Sequence, residues 1–175
     1  MTNSRAGQAE KRLVRALVRR LHVVDIENLA GTGRPDLGVV AQLRATYTDV
    51  LGVAAEDHVV VACNPGCLLD VGAGWGLRCA RYRTGRGCNG ADWELLDVLE
   101  CEGVAERFAE VVIASGDGIF APTAARLAVA GCDVTVASRR RSLSAKLALA
   151  AKRVVYLPEI EALGAPVARP LRTAA

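Results

Sequence analysis

An α/β fold, with strands and helices alternating around a parallel sheet, is what this sequence predicts, and three observations predict it. Short apolar, mostly valine-rich runs recur at 21–24, 58–63, 108–114 and 133–137, the pattern of strands buried on both faces. Segments with helical apolar spacing lie between them, so successive strands are joined by crossovers and run parallel. The 175 residues are 51% hydrophobic, enough for a single domain with its own core. Right-handed crossovers suggest the strand order 3-2-1-4-5. Strands one and four then lie side by side at the switch point, where open α/β sheets bind ligands.

Taken in order, residues 1–20 are polar and then basic, with Leu13, Ala16, Leu17 and Leu21 at amphipathic spacing. They predict a helix over 9–21, packed on the domain or projecting as a basic arm. The domain proper is assigned to 21–158. Its first strand ends in Asp25-Ile26-Glu27-Asn28 and loosens at Gly31 and Gly33. Pro35 and Asp36 open a helix that Gly52 ends. The second strand stops at Asn64-Pro65-Gly66, and a short helix over 67–73 follows. A more polar third strand is expected over 77–82, then a flexible loop over 84–90. Asp92 begins a helix carrying Leu95, Leu96 and Leu99. The fourth strand ends in Ser115-Gly116-Asp117-Gly118, with a helix over 120–130 behind it. The fifth strand leads to Arg139-Arg140-Arg141, and a helix over 144–151 and a sixth strand over 153–157 complete the series. Residues 159–175, with Pro166 and Pro170, read as a poorly structured tail.

The net charge of +3 says less than its distribution. Basic residues gather at Lys11, Arg12, Arg15, Arg19 and Arg20, at Arg78, Arg81, Arg83 and Arg86, and at Arg139 to Arg141. Each cluster reads either as a solvated face or as part of a path for a phosphate backbone. The six cysteines, at 63, 67, 79, 88, 101 and 132, form no Cys-x-x-Cys pair. They read as small buried thiols of a reducing compartment, not as a zinc site. No apolar run is long enough to span a bilayer and no signal-peptide pattern opens the chain, so a cytoplasmic location and no membrane partner are expected.

Three aspartates carry the chemistry. Asp25 and Asp117 end neighbouring strands, and Asp92 opens a helix at the same edge. Each has a plainer reading, Asp92 as a helix cap and Asp117 as a turn residue. Asp25 has the weakest plain reading, because a carboxylate ending a buried strand is costly without a partner. Carboxylates brought together repel unless a cation neutralises them. Oxygen donors suit a hard cation such as Mg²⁺ or Mn²⁺, with Asn28 and Ser115 as neutral oxygens beside the three aspartates. Such a site activates water and supports in-line displacement at a phosphodiester. Glu27 and Asp97 are less specific, and Asp97 is assigned to the surface.

The same residues resemble the NYN family of PIN-like metal-dependent ribonucleases. The aspartate and asparagine of the first strand stand at Asp25 and Asn28, the mid-chain aspartate at Asp92, and the Ser-Gly-Asp block at Ser115-Gly116-Asp117. The resemblance covers about residues 20–158 and implies a PIN-like (Rossmannoid) domain that cuts RNA endonucleolytically with Mg²⁺ or Mn²⁺, leaving a 5′-phosphate. It implies Asp25, Asn28, Asp92 and Asp117 as catalytic residues, the three aspartates as metal ligands, and RNA as the partner; a homodimer is a candidate assembly. One position departs from the pattern. Ile119 stands where many members carry a second acidic residue, so an inactive RNA- or protein-binding module on the same fold is the alternative.

Two rivals are weaker. Residues 68–76, Leu-Leu-Asp-Val-Gly-Ala-Gly-Trp-Gly, look like the glycine-rich motif of S-adenosylmethionine-dependent methyltransferases. No apolar helical face follows them, and the expectation is a helix and turn there. A phosphatase of the haloacid dehalogenase type also uses a strand-end aspartate, but it would want a second aspartate where Glu27 stands.

Overall fold

In the computed structural model, which describes residues 19–160, thirteen regular elements follow the predicted alternation. They are β1 (Leu21–Asp25), α1 (Ile26–Ala30), α2 (Leu37–Leu51), β2 (His58–Cys63), α3 (Leu68–Trp75), β3 (Arg81–Thr84), α4 (Gly90–Cys101), α5 (Val104–Arg107), β4 (Glu110–Ala114), α6 (Ala121–Val129), β5 (Asp133–Arg139), α7 (Ala145–Ala150) and β6 (Arg153–Leu157). The sheet is parallel in every pairing, with the order β3-β2-β1-β4-β5-β6.

The switch point follows from this order. β1 lies between β2 and β4, with Val24 level with Val61 on one side and with Ala114 on the other. All five residues of β1 are buried, because helices cover both faces. Side-chain alternation divides the core in two. Val23, Ile113 and Val136 pack with Leu95, Leu99, Phe120 and Leu147 of the α4–α7 layer. Val24, Val61 and Val112 pack with Ile26, Val40, Leu43, Tyr47 and Trp75 of the α1–α3 layer. The β1–β4 boundary is therefore where the connecting helices change face.

Local signals set the helix ends. Asp36 caps α2 by accepting the Val39 N–H at 2.9 Å, and Gly52 ends it with φ +61°, a left-handed conformation that favours glycine. Leu68–Trp75 is helical as expected, with Gly76 as its C-cap. Within that helix Gly74 is a packing glycine: a Cβ there would lie 2.8 Å from the Leu37 carbonyl oxygen and from Val40 Cβ.

Several boundaries differ from expectation. The third strand is Arg81–Thr84, because the chain first turns through 77–80 after Gly76, and the strand is a polar edge paired only with β2. The α4 helix starts at Gly90, two residues before Asp92, so Asp92 lies inside its first turn and is not its cap. A short α5 occupies part of what reads as the approach to β4, which begins at Glu110. Leu21 opens β1 and does not close a helix. The rest of the predicted N-terminal helix or arm, residues 1–18, and the tail from 161 lie outside the described residues. Cys79, Cys88 and Cys101 are exposed and only Cys63, Cys67 and Cys132 are buried, so burial accounts for half of the thiols. No helix among the described residues is long and apolar enough to cross a membrane.

Candidate active site

Asp25 ends β1 and at once begins α1. Its Oδ1 accepts the Asn28 N–H at 3.1 Å, which makes it the helix cap, and its Oδ2 accepts the Ser115 hydroxyl at 2.9 Å. With 4% exposure, the carboxylate is held in one place from both strands of the switch point. Ser115 Oγ in turn accepts the Asp117 N–H at 3.2 Å.

Asn28 is a three-way brace. Its own N–H goes to Asp25, its Oδ1 accepts the Gly116 N–H at 2.9 Å, and its carbonyl oxygen accepts Arg139 Nη2 at 2.8 Å. It thereby ties together β1, the loop after β4, and the end of β5. Gly31 gives Arg139 room to make this contact, since a Cβ at Gly31 would lie 2.5 Å from Arg139 Nη1. Gly116 has a similar reason: a side chain there would run into the Ser142 carbonyl and Ser138 Oγ of the neighbouring strand and loop. The glycine of the Ser-Gly-Asp block is thus explained by packing.

Asp92 comes from the first turn of α4, buried and close enough to Asp25 for the two carboxyls to perturb each other. Its carboxyl is pushed up to about 7, by burial first, then by the Asp25 charge and the hydrogen bond to Asp25, then by Asp117 and Glu27. Asp25 is also raised by burial, against the opposing hydrogen bonds of Asn28, Ser115 and Asp92. Burial and mutual repulsion thus raise both carboxyls, each disfavouring the charged form of the other. Asp117 stands beside the pair, exposed, with Oδ1 accepting the Ile119 N–H at 2.9 Å. The three aspartates expected to share a site are therefore within each other's electrostatic reach, at the carboxyl edge of β1 and β4.

Glu27 turns the other way. Its Oε1 accepts the Asn64 N–H at 2.6 Å and faces Cys67 Sγ at 3.8 Å, so it braces α1 against the loop after β2 while adding charge near the aspartates. Among the described residues no three or more His, Cys, Asp or Glu side chains group into a cage that could hold a metal ion, the three aspartates included. Hydrated Mg²⁺ needs no such cage, since it takes one or two carboxylates and keeps several waters. The donor set here is all oxygen, and a dication would offset the repulsion between the carboxyls, so one or two of these carboxylates fit that ion.

No family model matches the chain. No curated protein matches it either. A solved structure of a protein of unknown function from Vibrio parahaemolyticus is similar, with a TM-score of 0.54 and 18% identity over 81% of this chain and 93% of that one. At that identity the likeness carries the fold and nothing further.

The basic clusters divide once their partners are visible. Arg20 is taken up by Asp57 at 2.7 Å and by the Leu51 and Gly52 carbonyls, at the edge opposite the aspartates. Arg81 pairs with Glu102, and Arg83 with Glu94 and Asp97, so Asp97 is an ion-pair partner on the surface. Arg140 stacks over Tyr156 at 4.1 Å, and Arg141 is exposed. Lys11, Arg12 and Arg15 lie outside the described residues. The loops at the carboxyl edge carry Arg34, Arg86, Arg140 and Arg141. Two features escape the sequence reading. Trp93 is 62% exposed next to Asp92, and Arg139 reaches across to α1. The sequence shows Trp93 only as the neighbour of Asp92 and Arg139 only as part of a basic run, because both act through tertiary placement.

Proposed function

We propose that the protein is a Mg²⁺- or Mn²⁺-dependent endoribonuclease. The observation that supports this most is the buried Asp25–Asp92 pair with Asp117 beside it at the switch point. Among the described residues no cation forms an ion pair with these carboxyls. By contrast, an aspartate serving stability is normally given a cationic partner. Bound there, the ion supplies a Lewis acid for the phosphodiester and lowers the pKa of the attacking water.

The chain's own contributions are positional. Asn28 and Ser115 fix Asp25 in one orientation, which removes reorganisation from the reaction. Asp117, exposed above the buried pair, faces the solvent side from which a substrate arrives. Arg34, Arg86, Arg140 and Arg141 offset the local negative charge and attract a polyanion. Trp93 offers an open aromatic face to an unpaired base, which favours single-stranded RNA.

The test is cleavage of labelled single-stranded RNA with each metal, with EDTA, and with Asp25→Asn and Asp117→Asn. Each variant is expected to lower cleavage by about 100-fold or more while RNA binding persists. Cleavage that survives EDTA or Asp117→Asn contradicts the reading. A second reading rests on Ile119, whose aliphatic side chain packs on the α4–α7 core where a further acid would otherwise stand. On that reading the domain binds RNA without cutting it, and the same assay separates the two.

A further inference from the structure

We propose that the opposite edge of the sheet carries a second, separate site, which binds a phosphate monoester of about nucleotide size through Arg44 and Arg78. A cavity of about 500 Å³ opens there, walled by Trp75, Val53 and Val59 and flanked by both arginines. A neighbouring cavity of about 400 Å³ shares Asp57, Val59, Arg78 and Cys79 with it, so Arg78 stands between two recesses. Volumes of this order suit small ligands.

The charge of the larger cavity is what selects the ligand. Its ionisable lining is Arg44, Arg78, Asp57 and Cys79. Asp57 is already consumed: its carboxylate accepts from the Arg20 backbone and side chain, from the Ala54 N–H, and from His22. Among the described residues, neither Arg44 nor Arg78 has a carboxylate partner in an ion pair. Among the described residues Arg44 Nη2 donates only to Cys79 Sγ, at 3.1 Å. Two uncompensated guanidinium groups at an apolar wall fit a dianion attached to a ring or chain, because arginine forks match phosphate oxygens in pairs. In the smaller recess Arg81 and Arg107 are already paired with Glu102, which leaves Arg78 as its unpaired cation. This site owes nothing to the three aspartates, and it stands whether or not they cut RNA.

Cys79 provides the readout, because a ligand held by Arg44 covers its exposed thiol. The whole protein in EDTA is treated with iodoacetamide, and modification of Cys79, Cys88 and Cys101, all exposed, is followed by peptide mass spectrometry. Adenosine 5′-monophosphate is expected to slow modification of Cys79 and not of the other two, and adenosine to slow none. Calorimetric titration is expected to show affinity for the monophosphate falling about tenfold in Arg78→Gln, through loss of one charge-assisted contact. Arg78 is exposed, so that variant keeps the fold. Absence of protection at millimolar monophosphate, equal protection of all three thiols, or unchanged affinity in both Arg78→Gln and Arg44→Gln would overturn the proposal. Protection by a short RNA but not by the monophosphate would also overturn it, assigning the edge to a polynucleotide.

Discussion

Two aspartates with covered side chains, Asp57 and Asp92, sit at opposite ends of this sheet, and their surroundings have opposite signs. Asp57, below the start of β1 and β2, receives five hydrogen bonds, three of them from Arg20, and its carboxyl is lowered by the Arg20 contacts and the Ala54 N–H in spite of burial. Next to it His22 bridges Asp57 at 3.3 Å and Tyr47 Oη at 2.7 Å. This network is closed when Tyr47 donates to Nδ1 and Nε2–H donates to Asp57, the neutral tautomer. Asp92, at the other end, is raised, by burial first and then by the charge of Asp25, another carboxyl. A closed polar network stabilises a fold, whereas an uncompensated one lowers stability and marks a site held ready for a ligand.

The largest expected contrast is in stability. Asp57→Ala leaves Arg20, the Ala54 N–H and His22 without their acceptor, and is expected to cost about 3 kcal/mol. In a thermal melt at neutral pH that is a fall of roughly 6 to 12 °C. Asp92→Asn is expected to act in the opposite direction, raising the stability of the metal-free protein by about 1 to 2 kcal/mol, because the carboxyl repulsion and the desolvated charge disappear. A destabilised Asp92→Asn would erase the distinction between the two ends.

A finer contrast lies in pH. His22 is lowered from 6.5 to about 4, by burial first and by the Arg20 charge, against the opposing pull of Asp57. Its unfolded form binds the extra proton between those values, so the stability it gives is complete above about 6.5 and is lost as pH falls towards 4. Asp92 runs the other way. Raised from 3.8 to about 7, it binds its proton in the folded state first, so its contribution grows as pH falls from about 7. In the wild type the contributions of His22 and Asp92 oppose each other between pH 7 and 5. Asp92→Asn should become steeply acid-sensitive over that interval, and His22→Gln should gain stability on acidification. Melts of the three proteins at pH 7.5, 6 and 5 check this, and parallel curves would contradict it.

Much of this was legible in the chain. The β-branched runs gave the central strands, and the order 3-2-1-4-5 followed from crossover handedness, because buried parallel strands have no other use for such runs. Asp25, Asp92 and Asp117 were legible for a similar reason, as polar residues where apolar strands stop. The edge strand β3 was misplaced because Arg81–Thr84 buries little and carries no apolar pattern. Asn28 was legible as a neutral oxygen donor beside the aspartates, and Glu27 only as a less specific acid near a strand end. Their work as braces depends on Asn64, Gly116 and Arg139, which lie 37, 88 and 111 residues away. The Asp57 network escaped for the same reason, since an aspartate in a loop has no signature of the arginine that will meet it.

The central claim is that the uncompensated carboxyls are a divalent-cation site, and anomalous scattering from a crystal soaked in Mn²⁺ tests it most directly. The account predicts a peak at the carboxyl edge of β1 and β4, with oxygens of Asp25, Asp92 or Asp117 at about 2.1 Å and water completing the shell. It also predicts that this peak is lost in Asp25→Asn. No peak there at saturating Mn²⁺, or one that persists in Asp25→Asn, would contradict it.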